Sequence, residues 1–174
     1  MRAFFLVFVL LLTACATNKD ISKTNLGSTE FIRKNQVAVD QLAGQLGQGK
    51  VQKDYPVIVA SVVSMNQLNR TSTFGRLLSE QVSARFSQLQ YQVVEPKLRG
   101  DLMIREDGEF LMTRELKEIA KSVSAQAVVV GTYVETPQDI FVNLKVVQPE
   151  TNHVLAATSY AIPLAKDVAV MLKN

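Results

Sequence analysis

Between Pro56 and Pro96 the chain sets two β-branched runs around one amphipathic helix, and that order restricts its architecture more than any other stretch. Val57 to Val63 (VIVASVV) lacks polar alternation, as expected of a strand covered on both faces. Phe74, Leu77, Leu78, Val82, Phe86 and Leu89 then share one helical stripe, with Arg76, Glu80, Gln81, Arg85 and Gln88 around the rest. Tyr91 to Glu95 (YQVVE) follows almost at once and is halted by Pro96. Strand, helix, strand in this order forms a βαβ unit, with parallel strands and a right-handed crossover.

The flanking segments complete one domain. Thr29 to Leu46 predicts a helix carrying Phe31, Ala38, Leu42 and Leu46 on one face, with Ser28 or Thr29 as its cap and Gly47 at its end. Arg114 to Val123 predicts a second helix through Leu116, Ile119, Ala120 and Val123. Gln126 to Val134 (QAVVVGTYV) reads as a buried strand interrupted at Gly131. Ile140 to Val147 alternates, with Phe141, Asn143 and Lys145 on one side and Val142, Leu144 and Val146 on the other. Turns at 136–139 and 149–152 and a last strand from His153 to Ala161 make an antiparallel meander, and Leu164 to Leu172 forms a short terminal helix. The expected fold class is α/β, of the α+β kind: a mixed sheet with a βαβ unit followed by a C-terminal meander, helices packed on the sheet.

The N-terminus says where such a domain works. Arg2, the apolar run Ala3 to Leu12, and Leu12-Thr13-Ala14-Cys15 have the shape of a secretory signal. The run is about half the ~20 residues a helix needs to cross a bilayer. Leu-Thr-Ala-Cys resembles the lipobox of bacterial lipoproteins, which implies cleavage between Ala14 and Cys15 and diacylglyceryl transfer to the Cys15 thiol. A plain signal peptide with an incidental cysteine is the alternative. Two or three acyl chains on one residue make membrane release negligible. Ala16 stands where aspartate would signal inner-membrane retention, so the resemblance implies the periplasmic face of the outer membrane. The expected domains are 1–14, signal peptide; 15–28, lipidated N-terminus and flexible linker spanning roughly 20 Å; and 29–174, a single domain.

The residue inventory is poor in chemistry. Cys15 is the only cysteine and His153 the only histidine among 174 residues, so neither a disulfide nor a Cys-His or Ser-His dyad has support. Gly47-Gln48-Gly49-Lys50 lacks the first glycine of a phosphate loop and the hydroxyl after its lysine, and is a turn. Asp101, Glu106, Asp107 and Glu109 are interspersed with Arg99 and Arg105 and lack the spacing of a calcium loop. A net charge of +3, dispersed along the chain, creates no field for nucleic acid. No cofactor or metal is expected. The mixed-charge stretch from Lys97 to Met112 carries the candidate partner contacts Arg99, Asp101, Arg105 and Glu106, because charges beside apolar residues in a long connection suit a protein surface.

Four segments in sequence carry a family resemblance: Phe74 to Gln81 (FGRLLSEQ), Tyr91 to Glu95 (YQVVE), Lys97 to Glu106 (KLRGDLMIRE) and Val129 to Tyr133 (VVGTY). From about Phe31 to Tyr160 the chain resembles the FlgO family of flagellar outer-membrane lipoproteins. The resemblance implies an accessory lipoprotein of the flagellum, associated with the outer-membrane part of the basal body and needed for normal motility, with no reaction and no cofactor. Its partners would be the membrane, through the lipid, and flagellar basal-body or other envelope proteins; a homo-oligomer or ring is compatible with that role. More distantly the chain resembles small α/β domains of other envelope lipoproteins, including activators of peptidoglycan synthases and curli secretion lipoproteins.

Overall fold

The computed structural model describes residues 26–47, 49–68, 70–95 and 114–173. Its elements run α1 (Leu26–Leu46), β1 (Pro56–Val59), β2 (Val63–Ser64), α2 (Thr73–Gln88), β3 (Gln92–Val94), α3 (Arg114–Ser122), β4 (Ala127–Glu135), β5 (Asp139–Val147), β6 (Val154–Pro163) and α4 (Lys166–Leu172). The sheet has the order β3-β1-β4-β5-β6, with β2 pairing β4. β1 is parallel to β3 and to β4, whereas β4, β5 and β6 are antiparallel. The βαβ unit and the meander are therefore both present, in a single α+β domain with a mixed six-stranded sheet.

The helices divide unequally between the two faces. Phe31, Val39, Leu42 and Leu46 of α1, Phe74, Leu78, Val82 and Phe86 of α2, and Val168 of α4 join Val57, Val129, Val142, Leu144 and Ile162 in one core. Leu116 and Ala120 of α3 join Ile58, Val128, Val130 and Val147 on the other face. Within the larger core the ring of Phe74 lies 5.3 Å from Phe31 and 5.1 Å from Tyr133. Among the described residues no helix is long and apolar enough to cross a membrane.

Three expectations are corrected. The run Val57 to Val63 is not one continuous strand. Val59 pairs with Val129 and Val63 with Thr132, so four steps on one strand match three on the other and one extra residue bulges out. The bulge is pinned by hydrogen bonds from the Val62 amide to Ser79 Oγ (2.8 Å) and from Thr71 Oγ1 to the Val62 carbonyl (2.7 Å). Gly131, conversely, does not interrupt β4. A Cβ there would come within 2.6 Å of Leu144 Cδ2 and 3.0 Å of Val62 Cγ2, so the glycine is where the bulge and β5 close on the strand. Finally, α1 begins at Leu26, inside the stretch expected to be linker and ahead of its expected caps. Ser28 donates its hydroxyl to Asp167 of α4, a residue 139 positions away that no local pattern announces.

Candidate functional site

The residues singled out from the sequence, Ala14 and Cys15 at the N-terminus and Arg99, Asp101, Arg105 and Glu106 in the long connection, lie outside the described residues, as do Asp107 and Glu109. His153 is exposed beside the β5–β6 turn, its amide donating to Thr151 Oγ1 and its carbonyl accepting from the Gln148 amide. Among the described residues no three His, Cys, Asp or Glu side chains are grouped to hold a metal.

The densest polar cluster lies where the bulge meets the start of α2. Ser72, 4% exposed, caps α2 by accepting from the Gly75 amide and also accepts from Tyr133 OH at 2.8 Å. Ser79 donates to the Gly75 carbonyl at 2.9 Å while holding Val62. A Cβ on Gly75 would collide with the Val62 carbonyl and Thr71 Oγ1, so only glycine lets the helix start pass this close to the bulge. The buried hydroxyls bond to one another and to main-chain groups: Ser72 accepts from Tyr133 OH, and Ser79 donates to the Gly75 carbonyl. The cluster floors an open groove of ≈290 Å³ lined by Arg70, Tyr133, Glu135 and Lys173 among others. At the opposite end of the sheet a wider groove of ≈520 Å³ runs past Lys50, Lys121, Gln126 and Glu150. Both are polar clefts with charges of both signs.

The α3 face of the sheet also carries exposed apolar side chains. Register places Val134, Phe141 and Ala161 in one row across β4, β5 and β6, and Thr132, Asn143 and Ser159 in the next, with Asn143 Oδ1 accepting from Ser159 Oγ at 2.7 Å. α3 covers the sheet further down, at Val128, Val130 and Val147. Phe141 is left 47% exposed, and Met65, just after β2, is 46% exposed. A signal for this surface is visible in the alternation of β5, where Phe141 shares its side with Asn143 and Lys145 instead of with the core valines.

A polar pair inside the larger core escaped the apolar periodicity. Asn35 of α1 is 1% exposed, donates to Gln81 Oε1 and accepts from Tyr160 OH at 2.8 Å. Burial pushes the Tyr160 phenol well above the ordinary tyrosine value, which keeps it a neutral donor.

Residues 36–167 match the model of a family described as FlgO protein. In solved structures the fold is similar to the LpoB C-terminal domain from Salmonella enterica, with a TM-score of 0.55 at 17% identity, covering 74% of this chain and 97% of that one. The LpoB C-terminal domain from Escherichia coli gives a TM-score of 0.55 at 14% identity, again covering 74% and 97%. At such identities the likeness is one of fold. No curated protein matches the chain.

Proposed function

The chain belongs to the FlgO family, and from that premise we propose that it is a non-enzymatic lipoprotein of the outer membrane that supports the flagellar basal body and so motility. The observation that carries this reading is the family match over residues 36–167, most of the chain. In this reading residues 1–14 are removed, Cys15 is acylated, and residues 29–174 form the binding domain on the periplasmic face. Residues 15–25, with the first residues of α1, set how far that domain stands from the lipid. Arg99, Asp101, Arg105 and Glu106 are the proposed contacts with basal-body proteins. Among the described residues the buried hydroxyls bond to one another and to main-chain groups, and the two grooves are polar and open, which supports a binding role.

One fractionation tests the reading. Wild-type protein is expected in outer membranes and with purified basal bodies. Cys15→Ser should release it to the soluble periplasm, and Arg99→Glu with Arg105→Glu should leave it in membranes but detached from basal bodies. Basal-body association that survives the charge reversal removes the contact assignment, and a Cys15→Ser protein still in membranes removes the anchor. A second reading, an adaptor or regulator of another envelope machine such as a peptidoglycan synthase, draws support from the LpoB-like fold; co-purification with a synthase in place of basal bodies would favour it.

A further inference from the structure

β6 is an edge of the sheet, and its two halves are finished differently. Alternate residues of an antiparallel strand turn both their N–H and C=O to the same side. Ala157 identifies the outward set, because its amide donates to Gln45 Oε1 (3.1 Å) and its carbonyl accepts from Gln45 Nε2 (3.0 Å). Lys50 Nζ likewise donates to the Leu155 carbonyl at 3.2 Å. The ladder is unbroken from Ala156 to Pro163, so 159, 161 and 163 also face outward. Pro163 has no N–H to offer, a common device at exposed edges. Ser159 and Ala161 remain, and their outward main-chain groups have no partner among the described residues.

Helix α1 shows the same contrast from above. It runs antiparallel to β6, with Gln45 at Ala157, Gln41 accepting from Thr158 Oγ1 at 2.8 Å, and Asn35 at Tyr160. Gln41 and Gln45 stand one turn apart, and one turn earlier the stripe holds Val37, which is 44% exposed. Where the edge is closed, α1 supplies carboxamides. Where it is open, α1 supplies an uncovered valine.

We infer that the open stretch of β6 pairs with the same stretch of a second copy of this chain, antiparallel about a two-fold axis at Tyr160. In that register Ser159 faces Ala161 of the other copy and Ala161 faces its Ser159, so every open N–H and C=O is used. The next outward pair, Ala157 opposite Pro163, is closed on both sides: one residue is bonded to Gln45 and the other has no donor. Shifting the axis by one residue sets one open residue against itself and the other against a closed position. The open groups are thus symmetric about one residue, which favours a second copy over an unrelated strand. Ser159 and Ala161 bring small uncharged side chains together, and Val37 of each copy lies alongside. The pairing does not depend on the flagellar reading.

Sedimentation of the full lipidated chain in detergent, over a concentration series, tests the pairing. A reversible dimer is expected. Ala161→Pro removes a hydrogen-bond donor from each half of the contact and Val37→Lys sets two cations beside the axis; each should raise the dimer dissociation constant by about tenfold or more. Val37→Lys alters an exposed helix position, so it reports on the contact even where Ala161→Pro unfolds the strand. A Ser159→Cys, Ala161→Cys chain should cross-link between copies on oxidation, since directly opposed residues lie within disulfide reach. A chain that stays monomeric up to its solubility limit, a dimer that neither single variant weakens, or a monomer that takes up only a foreign strand overturns the inference.

Discussion

On one face of the sheet, α1, α2 and α4 bury Phe31, Phe74 and Phe86 to within 2% of full burial; on the other, among the described residues, α3 is the one helix that covers Ile58, Val128 and Val130, and Phe141 and Met65 stand about half in solvent. The first face is a closed core of side chains drawn from three helices and the sheet. The second is finished along part of its length, and an aromatic ring stands where a solvated strand would carry a polar residue. The difference separates the residues that hold the fold from those available to a partner.

Substitutions on the two faces sharpen that division. Phe74→Ala should have the largest effect, destabilising by about 3–5 kcal/mol in urea titrations, because it empties a site touching both Phe31 and Tyr133. Tyr160→Phe should be intermediate. It leaves Asn35 without a donor, at a cost of about 1–2 kcal/mol, and also changes the pH dependence. Burial raises the folded-state value of this phenol above 10.0, so its contribution is complete below that pH and is lost as rising pH ionises the unfolded chain. The variant should therefore lose less stability than the wild type across alkaline pH, with a residual slope from Tyr91, whose phenol is also raised by burial. Phe141→Ser should be smallest, within about 1 kcal/mol of wild type, since nearly half the side chain is already in water. A loss as large as that of Phe74→Ala would show that the second face is covered in solution and that the division is wrong.

The periodic parts of the fold were legible in the sequence. Phe74, Leu78, Val82 and Phe86 announce α2 by spacing, and the alternation of β5 places Val142, Leu144 and Val146 in the core correctly. What could not be read depends on distant neighbours. Gly131 looked like a break because nothing nearby in sequence says that Leu144 and Val62 fill the space of its missing side chain. The bulge between β1 and β2 follows from Ser79 and Thr71, which reach Val62 from α2 and the loop before it. Asn35 sits on an apolar stripe because Gln81 and Tyr160 satisfy it from other elements. Of the candidate site, Phe141 was visible as an aromatic on the polar side of a strand, whereas the open edge of β6 required knowing which glutamines of α1 lie over which strand residues.

The way α1 is fastened determines how the domain bears a load entering at Leu26. Ser28 grips Asp167, and the helix is then held along β6 through Asn35, Gln41 and Gln45, with Lys50 beyond its end. Tension along the helix axis strains these attachments in shear, all at once, whereas tension across it breaks them singly, starting at Ser28. The same fold is thus stiff to a pull in one direction and peels in the other, and the angle at which the chain leaves Leu26 selects between them.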